Sequence, residues 1–552
     1  MGVRSRQILY AQSKSRVLRA LTTLNMILDE ATVQRISQSP GLPQQEPTRS
    51  YWAEPPANIH RTGADADEIP EEADIVIIGS GITGTSIART MLKELEDESD
   101  AQIIMLEARE VCSGATARNG GHITPAWYHR YPQLVEMYGK ETAHKMIKFQ
   151  LSHVQELLSI AEEDGLLEDS QCRLTESFDV YVHRAGFEIA RQGYEAYMKE
   201  EEVSSLHDLT YLYDHMDELK ALQLNPSYCG VIGTVLGAIH AYRFVTGVLS
   251  RLLQQHASNF RIFSNTPCSA VKTASSFYIV ETPKGKVRCR HVVHATNAWT
   301  SHLLPGFRRT IVPLRGEMSS QRPGTGLGSG SRPGSQAATS DWQGSRSFVF
   351  YTGKKDGVFD YLTQQPRLSP TPSSNYPPPQ AELMFGGGLA FNSKVFLAQV
   401  GNVDDTQSIS ELSTYLSQTL PVHFEENWGD NSELSDENDE SHWGKGRTKA
   451  SWSGLIGLSA DGNPWVGRVP AELADGRKLE VHEHRPGLVE AGEWVCGGYS
   501  GEGMTSAWKC GVALGRMILG KCDTPDWLPN PYTVSLERHA NAQLEDTLQF
   551  FI

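Results

Sequence analysis

The stretch DIVIIGSGITGTSIA, residues 74–88, joins a short apolar strand to a glycine-rich turn and the start of a helix. Its glycines, Gly79, Gly81 and Gly84, have the GxGxxG spacing. A second apolar run, residues 101–106, ends at the acidic residue Glu107. Strand, turn, helix and a second strand closed by an acid predict the opening βαβ unit of a dinucleotide-binding domain.

Each part of this unit has a physical role in holding a dinucleotide. Gly79 permits the tight turn, Gly81 lets the backbone approach a pyrophosphate, and Gly84 lets helix and strand pack closely. Glu107 is placed to accept hydrogen bonds from ribose hydroxyls, and its charge disfavours the 2′-phosphate of NADP. The same predicted cofactor site includes Ser80, Ile82, Thr83, Ala108 and Arg109. These residues fit NAD and FAD equally well.

The segment SGATARNGGH, residues 113–122, distinguishes between NAD and FAD as the predicted cofactor. A packed core would need larger side chains, and a surface loop would not need so many small ones. A nicotinamide enzyme normally continues from its acid into another ordinary βα unit. A flavin, in contrast, needs close backbone approach along its ribityl chain and ring, so the segment favours FAD.

Composition limits the remaining possibilities. The chain has 552 residues, too many for one compact core, which favours two joined domains with insertions. No apolar run reaches the roughly 20 residues of a membrane span, and a net charge of −16 argues against a nucleic-acid partner. Eight scattered cysteines show no metal-ligand spacing, so we expect no metal site and a reducing, cytoplasmic compartment.

The N-terminal segment has two interpretations. Residues 1–28 are basic and free of acids, with Val17, Leu21, Leu24 and Leu28 on one helical face. This composition is typical of a mitochondrial transit peptide. An ordinary N-terminal helix that docks on the body explains it as well.

The predicted fold class is α/β, with a Rossmann-type FAD-binding domain and an interleaved α+β substrate domain built on an antiparallel sheet. A helix and arm (1–70) come first, and a tail (531–552) comes last. The FAD-binding domain is discontinuous (71–170, 235–310 and 448–530), and residues 171–234 and 311–447 form the substrate domain. Three insertions rich in Pro, Gly, Ser or acids, at 322–346, 366–380 and 425–446, are interpreted as mobile or solvated. A long helical stretch is expected over 132–164, with Ile147, Leu151, Val154 and Leu158 on one face.

Five motifs in this order resemble the FAD-dependent amine and amino-acid oxidase superfamily. They are DIVIIGSGITGTSIA, LEAREVCSGATARNGGH, VVHATNAW, WSGLIGLSADGNPWVG and GGYSGEGM. The RNGG version, with PTRSYW ahead of the nucleotide domain, is most similar to the γ-glutamylputrescine oxidase branch. The resemblance covers roughly residues 48–520 and specifies fold and cofactor much better than substrate.

The resemblance implies extended FAD under a sheet of the substrate domain. Carried over by position, the residues beside the flavin are Ser113, Gly114, Ala115, Thr116, Arg118, Asn119, Gly120, Gly121 and His122. Val271 would contact the adenine side, and Thr296 and Asn297 would close over the dinucleotide. The pyrimidine edge of the ring would meet the backbone at Gly498, Gly501, Glu502, Gly503 and Met504.

The implied reaction oxidises a primary or secondary amine to an imine by hydride transfer to flavin N5, and oxygen reoxidises the flavin to give hydrogen peroxide. Two alternatives stay open: an FAD dehydrogenase with a non-oxygen acceptor, and a catalytically silent flavin-fold scaffold. Arg118, His122 and Tyr499 are the candidate catalytic residues. Arg118 and His122 have an equally good structural interpretation, as hydrogen-bonded partners of the loop or backbone.

Several positions depart from the family pattern. Trp452 and Arg118 stand where some relatives attach flavin to cysteine or histidine, so dissociable FAD is expected, with His122 as a rival tether. A carboxylate-binding lysine falls on Thr505, one turn before Lys509, which favours an amine over an α-amino acid. A second lysine, which assists reaction with oxygen, corresponds to Met384. An aromatic amine pocket is expected from Tyr351, Phe359, Tyr361, Trp452 and Tyr499, whereas Arg315 is expected to be a structural ion-pair partner.

Overall fold

The computed structural model describes residues 28–95, 100–200, 209–214, 216–327, 344–353, 358–368, 374, 376–429, 443–480 and 485–548. Most of the basic N-terminal segment, and the central parts of the three predicted insertions, lie outside the described residues. No helix in the described part of the chain is long and apolar enough to cross a membrane.

The strands of the described residues are β1 (Ile75–Ile78), β2 (Ile103–Leu106), β3 (His122–Ile123), β4 (Arg173–Tyr181), β5 (Thr210–Tyr213), β6 (Gly230–Ala238), β7 (Phe260–Phe263), β8 (Ala270–Ala274), β9 (Phe277–Thr282), β10 (Gly285–Cys289), β11 (His291–His294), β12 (Ile311–Gln321), β13 (Arg346–Tyr351), β14 (Phe359–Gln364), β15 (Leu383–Gly386), β16 (Thr448–Ser459), β17 (Trp465–Arg468) and β18 (Gly492–Gly497).

The helices are α1 (Glu30–Ser37), α2 (Ile82–Glu94), α3 (Trp127–Tyr138), α4 (Lys140–Glu163), α5 (Leu167–Ser170), α6 (Arg184–Met198), α7 (Met216–Ala221), α8 (Ala241–Gln255), α9 (Thr300–Leu303), α10 (Ser393–Gln399), α11 (Ser410–Phe424), α12 (Ala507–Ile518), α13 (Leu536–Asn541) and α14 (Leu544–Leu548).

A six-stranded sheet carries the dinucleotide-binding unit, in the order β17-β18-β11-β1-β2-β7. All its neighbouring pairs are parallel except β17 with β18. Every residue of β1 and β2 is buried, as expected for parallel strands covered on both faces. Helices α2, α8 and α12 pack together beside it. The fold class is thereby confirmed, and β11 is a buried strand between β18 and β1.

A nine-stranded sheet forms the second layer, in the order β16-β12-β15-β14-β13-β4-β6-β3, with β5 also paired to β6. Its pairs are antiparallel except β4 with β13. The predicted boundary at 448 assigned β16 to the FAD-binding domain, yet β16 pairs with β12 at the edge of this second sheet. A small antiparallel sheet, β10-β9-β8, completes the fold.

The helical stretch predicted over 132–164 consists of two helices. The chain forms α3 and then α4, and the break is at Gly139, whose φ is 80°. This backbone conformation is accessible to glycine and ends the first helix. Ile147 of the predicted face is fully buried, so the amphipathic pattern itself is correct for α4.

Candidate cofactor and active site

A cavity of about 420 Å³ lies between the carboxyl ends of the six-stranded sheet and the nine-stranded sheet. Its walls come from the ends of β1 and β2, the small-residue segment 114–122, strands β12 and β16, and the turn at 499–505. A crevice beyond the carboxyl ends of parallel strands is where open α/β sheets bind their ligands. The volume is within the range of small-molecule sites.

The structure brings most of the predicted cofactor residues together around this cavity. Those in its wall are Gly79, Gly81, Ile82, Thr83, Glu107, Ala108, Arg109, Gly114, Ala115, Thr116, Arg118, Asn119, Gly120, Gly121, His122, Thr296, Asn297, Gly501, Glu502, Gly503 and Met504. The other predicted positions, Ser80, Gly84, Ser113, Val271 and Gly498, lie outside the wall. Val271 instead packs in an apolar cluster with Tyr278 and Val280.

Glycine is present at two positions of this region for different physical reasons. A Cβ at Gly84 would lie 2.0 Å from the Gly79 carbonyl oxygen, so only glycine allows α2 to approach β1 this closely. A Cβ at Gly114, in contrast, would meet no atom within 4 Å. The protein's own packing therefore does not require a glycine at this position, and the space beside it in the cavity wall is open to a ligand.

The start of α2 is suited to an anion. Its N-cap, Gly81, supplies no side-chain hydrogen bond, although the Ile82 N–H donates to Thr116 Oγ1 at 3.0 Å. A helix start without its own cap offers backbone N–H groups and a positive dipole to phosphate oxygens. These features fit the pyrophosphate of a dinucleotide.

Glu107 is held rigidly at the end of β2. Its Oε2 accepts hydrogen bonds from the Ser80 N–H at 3.1 Å and the Ser80 hydroxyl at 2.6 Å, and Oε1 accepts from the Arg109 N–H at 3.0 Å. A carboxylate has about four acceptor positions. Capacity for a ribose hydroxyl therefore remains, and Ser80, although outside the wall, orients the acid.

The Arg118 guanidinium is hydrogen-bonded to the protein's own backbone. Its guanidinium donates to the carbonyls of Ser113 (3.0 Å), Ser453 (2.8 Å) and Thr48 (2.8 Å), and also to the Thr48 hydroxyl. Burial, together with the neighbouring Arg109, lowers the pKa of Arg118 to about 10. These contacts favour the structural interpretation, in which Arg118 fastens the small-residue segment to β16.

His122 differs from Arg118 in its hydrogen bonding. Both ring nitrogens are buried and have no hydrogen-bond partner in the described structure. Burial lowers its pKa to about 4, and nearby backbone groups of Phe348 and Leu362 offset only part of that shift. The ring meets Tyr361 edge-on, with centroids 5.7 Å apart. A neutral imidazole with free nitrogens in a cavity wall is suited to hydrogen-bond a ligand.

The turn after β18 forms a further part of the cavity wall, at residues 499–505. The Tyr499 hydroxyl is hydrogen-bonded to Thr83 Oγ1 at 2.8 Å and to Cys496 Sγ at 3.3 Å. Glu502 Oε2 accepts from the Thr505 hydroxyl at 3.0 Å, and burial raises the pKa of this carboxyl. Tyr499 is thus held by the protein, whereas Glu502 is a carboxyl-bearing residue of the cavity wall.

Three of the five predicted aromatic residues line the cavity: Phe359, Tyr361 and Tyr499. Trp452 is fully buried, with its indole N–H directed at the Arg118 carbonyl at 3.3 Å, and lies outside the wall with Tyr351. The predicted five-residue pocket is corrected accordingly. Val349 and Met318 complete the apolar part of the wall.

Two further residues, Arg315 and Lys509, lie outside the cavity wall. Arg315 has a structural role, but it donates to Gln399 Oε1 at 2.8 Å and to the Asp404 backbone carbonyl and not to the carboxylate that the predicted ion pair requires. Lys509 lies outside the cavity wall, where its ammonium contacts Ser152 Oγ at 2.8 Å and the ring of Trp527.

Sequence reasoning missed several parts of the wall. Gly41, Leu42 and Pro43 come from the arm ahead of the nucleotide domain, and Asp405 forms a 2.8 Å ion pair with Arg109. Residues 387–390 come from the turn after β15. The nearest signals were PTRSYW and the glycines of AELMFGGG, and neither indicated a cavity by spacing alone.

The family is shown by a comparison with known sequence families. Residues 74–517 match the family described as "FAD dependent oxidoreductase". Among curated proteins, "Probable oxidoreductase OrdL" of Rhizobium meliloti (strain 1021) is 21% identical over 252 residues, covering 44% of this chain and 54% of the relative. The chain spans about half the length of the curated relatives it matches.

Solved structures share the fold. L-proline dehydrogenase from P. horikoshii aligns with a TM-score of 0.55 at 17% identity, over 84% of this chain and 97% of that one. Glycine oxidase from Geobacillus kaustophilus aligns with a TM-score of 0.55 at 13% identity, over 85% and 99%. At these identities the likeness concerns the fold alone.

Proposed function

The chain belongs to the FAD dependent oxidoreductase family, and from that premise we propose that it oxidises the C–N bond of a primary or secondary amine to an imine. When bound, FAD supplies the hydride acceptor at flavin N5, and molecular oxygen then takes the electrons to give hydrogen peroxide. The protein's own part is to bind, orient and desolvate the amine.

One observation carries the choice of an amine over an α-amino acid. The Lys and Arg residues in the described cavity wall are Arg109 and Arg118. Arg109 is paired with Asp405, and Arg118 donates to three backbone carbonyls. Neither guanidinium is free to pair with a substrate carboxylate. The apolar side chains of Phe359 and Met318 suit a hydrocarbon chain instead.

His122 is proposed to orient the substrate nitrogen. With a pKa of about 4 the imidazole is neutral near pH 7, so its free nitrogen accepts a hydrogen bond from the amine N–H. Removing one such bond should slow substrate oxidation about tenfold, which is the effect of roughly 1.4 kcal/mol. His122 is too weak a base to keep a proton taken from an ammonium group.

Glu502 is proposed to take the proton of the incoming ammonium. It lines the same cavity, and the strand His122–Ile123 packs against the turn Gly503–Thr505 beside it. Burial raises the pKa of this carboxyl, while the positive charge of Arg130 and the hydrogen bond from Thr505 partly oppose the shift. A carboxyl with a raised pKa is the stronger base of the two candidates.

The test is anaerobic mixing of the FAD-loaded protein with straight-chain primary amines, N-methyl amines and the matching α-amino acids, followed by flavin absorbance. We expect bleaching by amines but not by amino acids, and peroxide once air is admitted. Bleaching by amino acids alone would refute the substrate class. His122→Phe should bleach about tenfold more slowly.

A dehydrogenase with a non-oxygen acceptor is the second candidate function. Met384, where a lysine that assists the oxygen reaction is expected, is fully buried, and its sulfur lies 3.5 Å from Gln365 Nε2. Rapid anaerobic bleaching with slow peroxide formation would favour this candidate. A bound flavin that no amine reduces would favour a catalytically silent scaffold.

The proposal also covers the cellular compartment of the protein. We propose a cytoplasmic location, based on the scattered cysteines. The alternative is a mitochondrial location, indicated by the basic composition of residues 1–28, nearly all of which lie outside the described residues.

A further inference from the structure

The N-terminal arm, defined as residues 39–52, runs against the cofactor cavity although it precedes the family match at 74–517. Gly41, Leu42 and Pro43 lie in the cavity wall. Leu42 remains 37% exposed, which is unusual for a leucine in a cavity wall and leaves apolar surface for a ligand to cover. The arm is therefore more than a linker to the dinucleotide-binding domain.

The first half of the arm is tied to the end of the cavity that contains Glu107. Ser39 Oγ lies 2.9 Å from His302 Nδ1, and His302 also lines the cavity. Arg109, two residues after Glu107, donates to the Gln44 carbonyl at 3.3 Å. Leu42 and Pro43 are held between these two contacts, beside the acid predicted to bind the ribose.

Thr48 joins the arm to both layers of the fold. Its N–H donates to the Asp405 carbonyl at 2.7 Å, and its hydroxyl accepts from the Ser453 N–H at 2.9 Å. Its carbonyl accepts from the Arg118 guanidinium at 2.8 Å. One residue thus connects the small-residue segment with β16 and with the loop that carries Asp405.

The second half of the arm follows the small-residue segment. The Ser50 hydroxyl donates to the Ala117 carbonyl, and the Trp52 indole N–H donates to the Asn119 carbonyl, both at 2.5 Å. A Cβ at Gly121 would lie 3.2 Å from the Trp52 ring. The arm and the predicted flavin segment are packed as a unit.

We propose that the arm is a cofactor-retaining wall, in which Leu42 and Pro43 cover the adenosine part of FAD and Thr48 to Trp52 fasten the arm over it. Cofactor exchange then requires the arm to lift. The role concerns FAD retention only, so it does not depend on which amine, if any, is oxidised.

The direct test compares two leucine variants of the FAD-loaded protein. Leu42→Ala removes apolar surface from the cavity wall, whereas Leu536→Ala removes it from α13, where Leu536 is 42% exposed and outside the wall. The recovery of FAD fluorescence after dilution measures cofactor loss. We expect the FAD dissociation constant to rise about fivefold for Leu42→Ala and to stay unchanged for Leu536→Ala. Equal values for the two variants would overturn the proposal.

Trypsin cleavage after Arg49 provides a second readout. The Arg49 side chain is 52% exposed and pairs with Glu54, so the enzyme can reach it when the arm lifts. Excess FAD should slow this cleavage at least tenfold. Cleavage after Arg184 on α6, with a 61% exposed side chain, should be unaffected and serves as the control. Equal rates of cleavage after Arg49 with and without excess FAD would refute the proposal that the arm lies over the cofactor.

Neither experiment uses an amine. Failure of these tests is therefore distinct from failure of the proposed function.

Discussion

His122→Phe is expected to change how stability depends on pH. The pKa of His122 is lowered from 6.5 to about 4 by burial. Below pH 6.5 the unfolded chain therefore binds a proton that the folded chain does not. The stability of the native protein must fall as pH falls from 6.5 toward 4, and it is fully retained above 6.5.

The size of the effect follows from the two pKa values. One pKa unit corresponds to 1.36 kcal/mol. Between pH 7 and pH 5 the native protein should lose about 2 kcal/mol more stability than His122→Phe, because phenylalanine cannot bind the proton. At pH 7 the variant should be no less stable than the native protein, since the ring nitrogens it loses have no partners in the described structure.

The assay is urea unfolding of both proteins at pH 7 and pH 5, followed by tryptophan fluorescence in the same excess of FAD. Other buried histidines, such as His153, titrate in both proteins and cancel in the difference. An equal loss of stability in the two proteins would show that His122 is not held neutral by burial. The role proposed for it as a hydrogen-bond acceptor would then fail as well.

Three other outcomes are expected. Arg118→Met should lower the free energy of unfolding at pH 7 by about 3 kcal/mol or more in urea titrations, because three backbone carbonyls lose a charged donor; a loss below about 1 kcal/mol would contradict its structural role. Gly114→Val should weaken FAD binding at least tenfold, measured by flavin absorbance after gel filtration. Gly446→Val, whose Cβ would also meet nothing within 4 Å but lies outside the cavity wall, is the matched control, and equal binding by both would contradict the site. Acid precipitation should release FAD into the supernatant, because Trp452 and Arg118 stand where some relatives attach flavin to cysteine or histidine; colour in the pellet would show a covalent link, with His122 as the rival tether.

Local sequence patterns were sufficient for the dinucleotide-binding unit. The strand, glycine turn, helix and acid of residues 74–107 act through contacts between near neighbours, such as the approach of Gly84 to Gly79. The division of the helical stretch predicted over 132–164 into two helices also has a local cause. An isolated glycine within a helical pattern is normally tolerated, but Gly139 adopts a positive φ and divides the helix.

The roles of Arg118 and His122 could not be separated from sequence. Both lie in the same small-residue segment, and only their distant partners distinguish them. The Arg118 guanidinium donates hydrogen bonds to Thr48, 70 residues away in the sequence, and to Ser453, 335 residues away. The His122 ring nitrogens have no hydrogen-bond partner in the described residues. The arm was missed for a related reason, since no periodicity indicates that the Gln44 carbonyl accepts a hydrogen bond from Arg109.

The order of strands in the six-stranded sheet has a consequence for synthesis on the ribosome. Ile75 of β1 pairs with His291 of β11, and His291 pairs with Gly492 of β18. At about 5–20 residues per second, β1 waits on the order of 10–40 s for its neighbour β11, and a similar time passes before β18 follows. During that interval the apolar edge of β1 is unpaired and open to association with other nascent chains. Chaperone binding is therefore expected at the β1 edge until β11 has been translated, and then at the β11 edge until β18 follows.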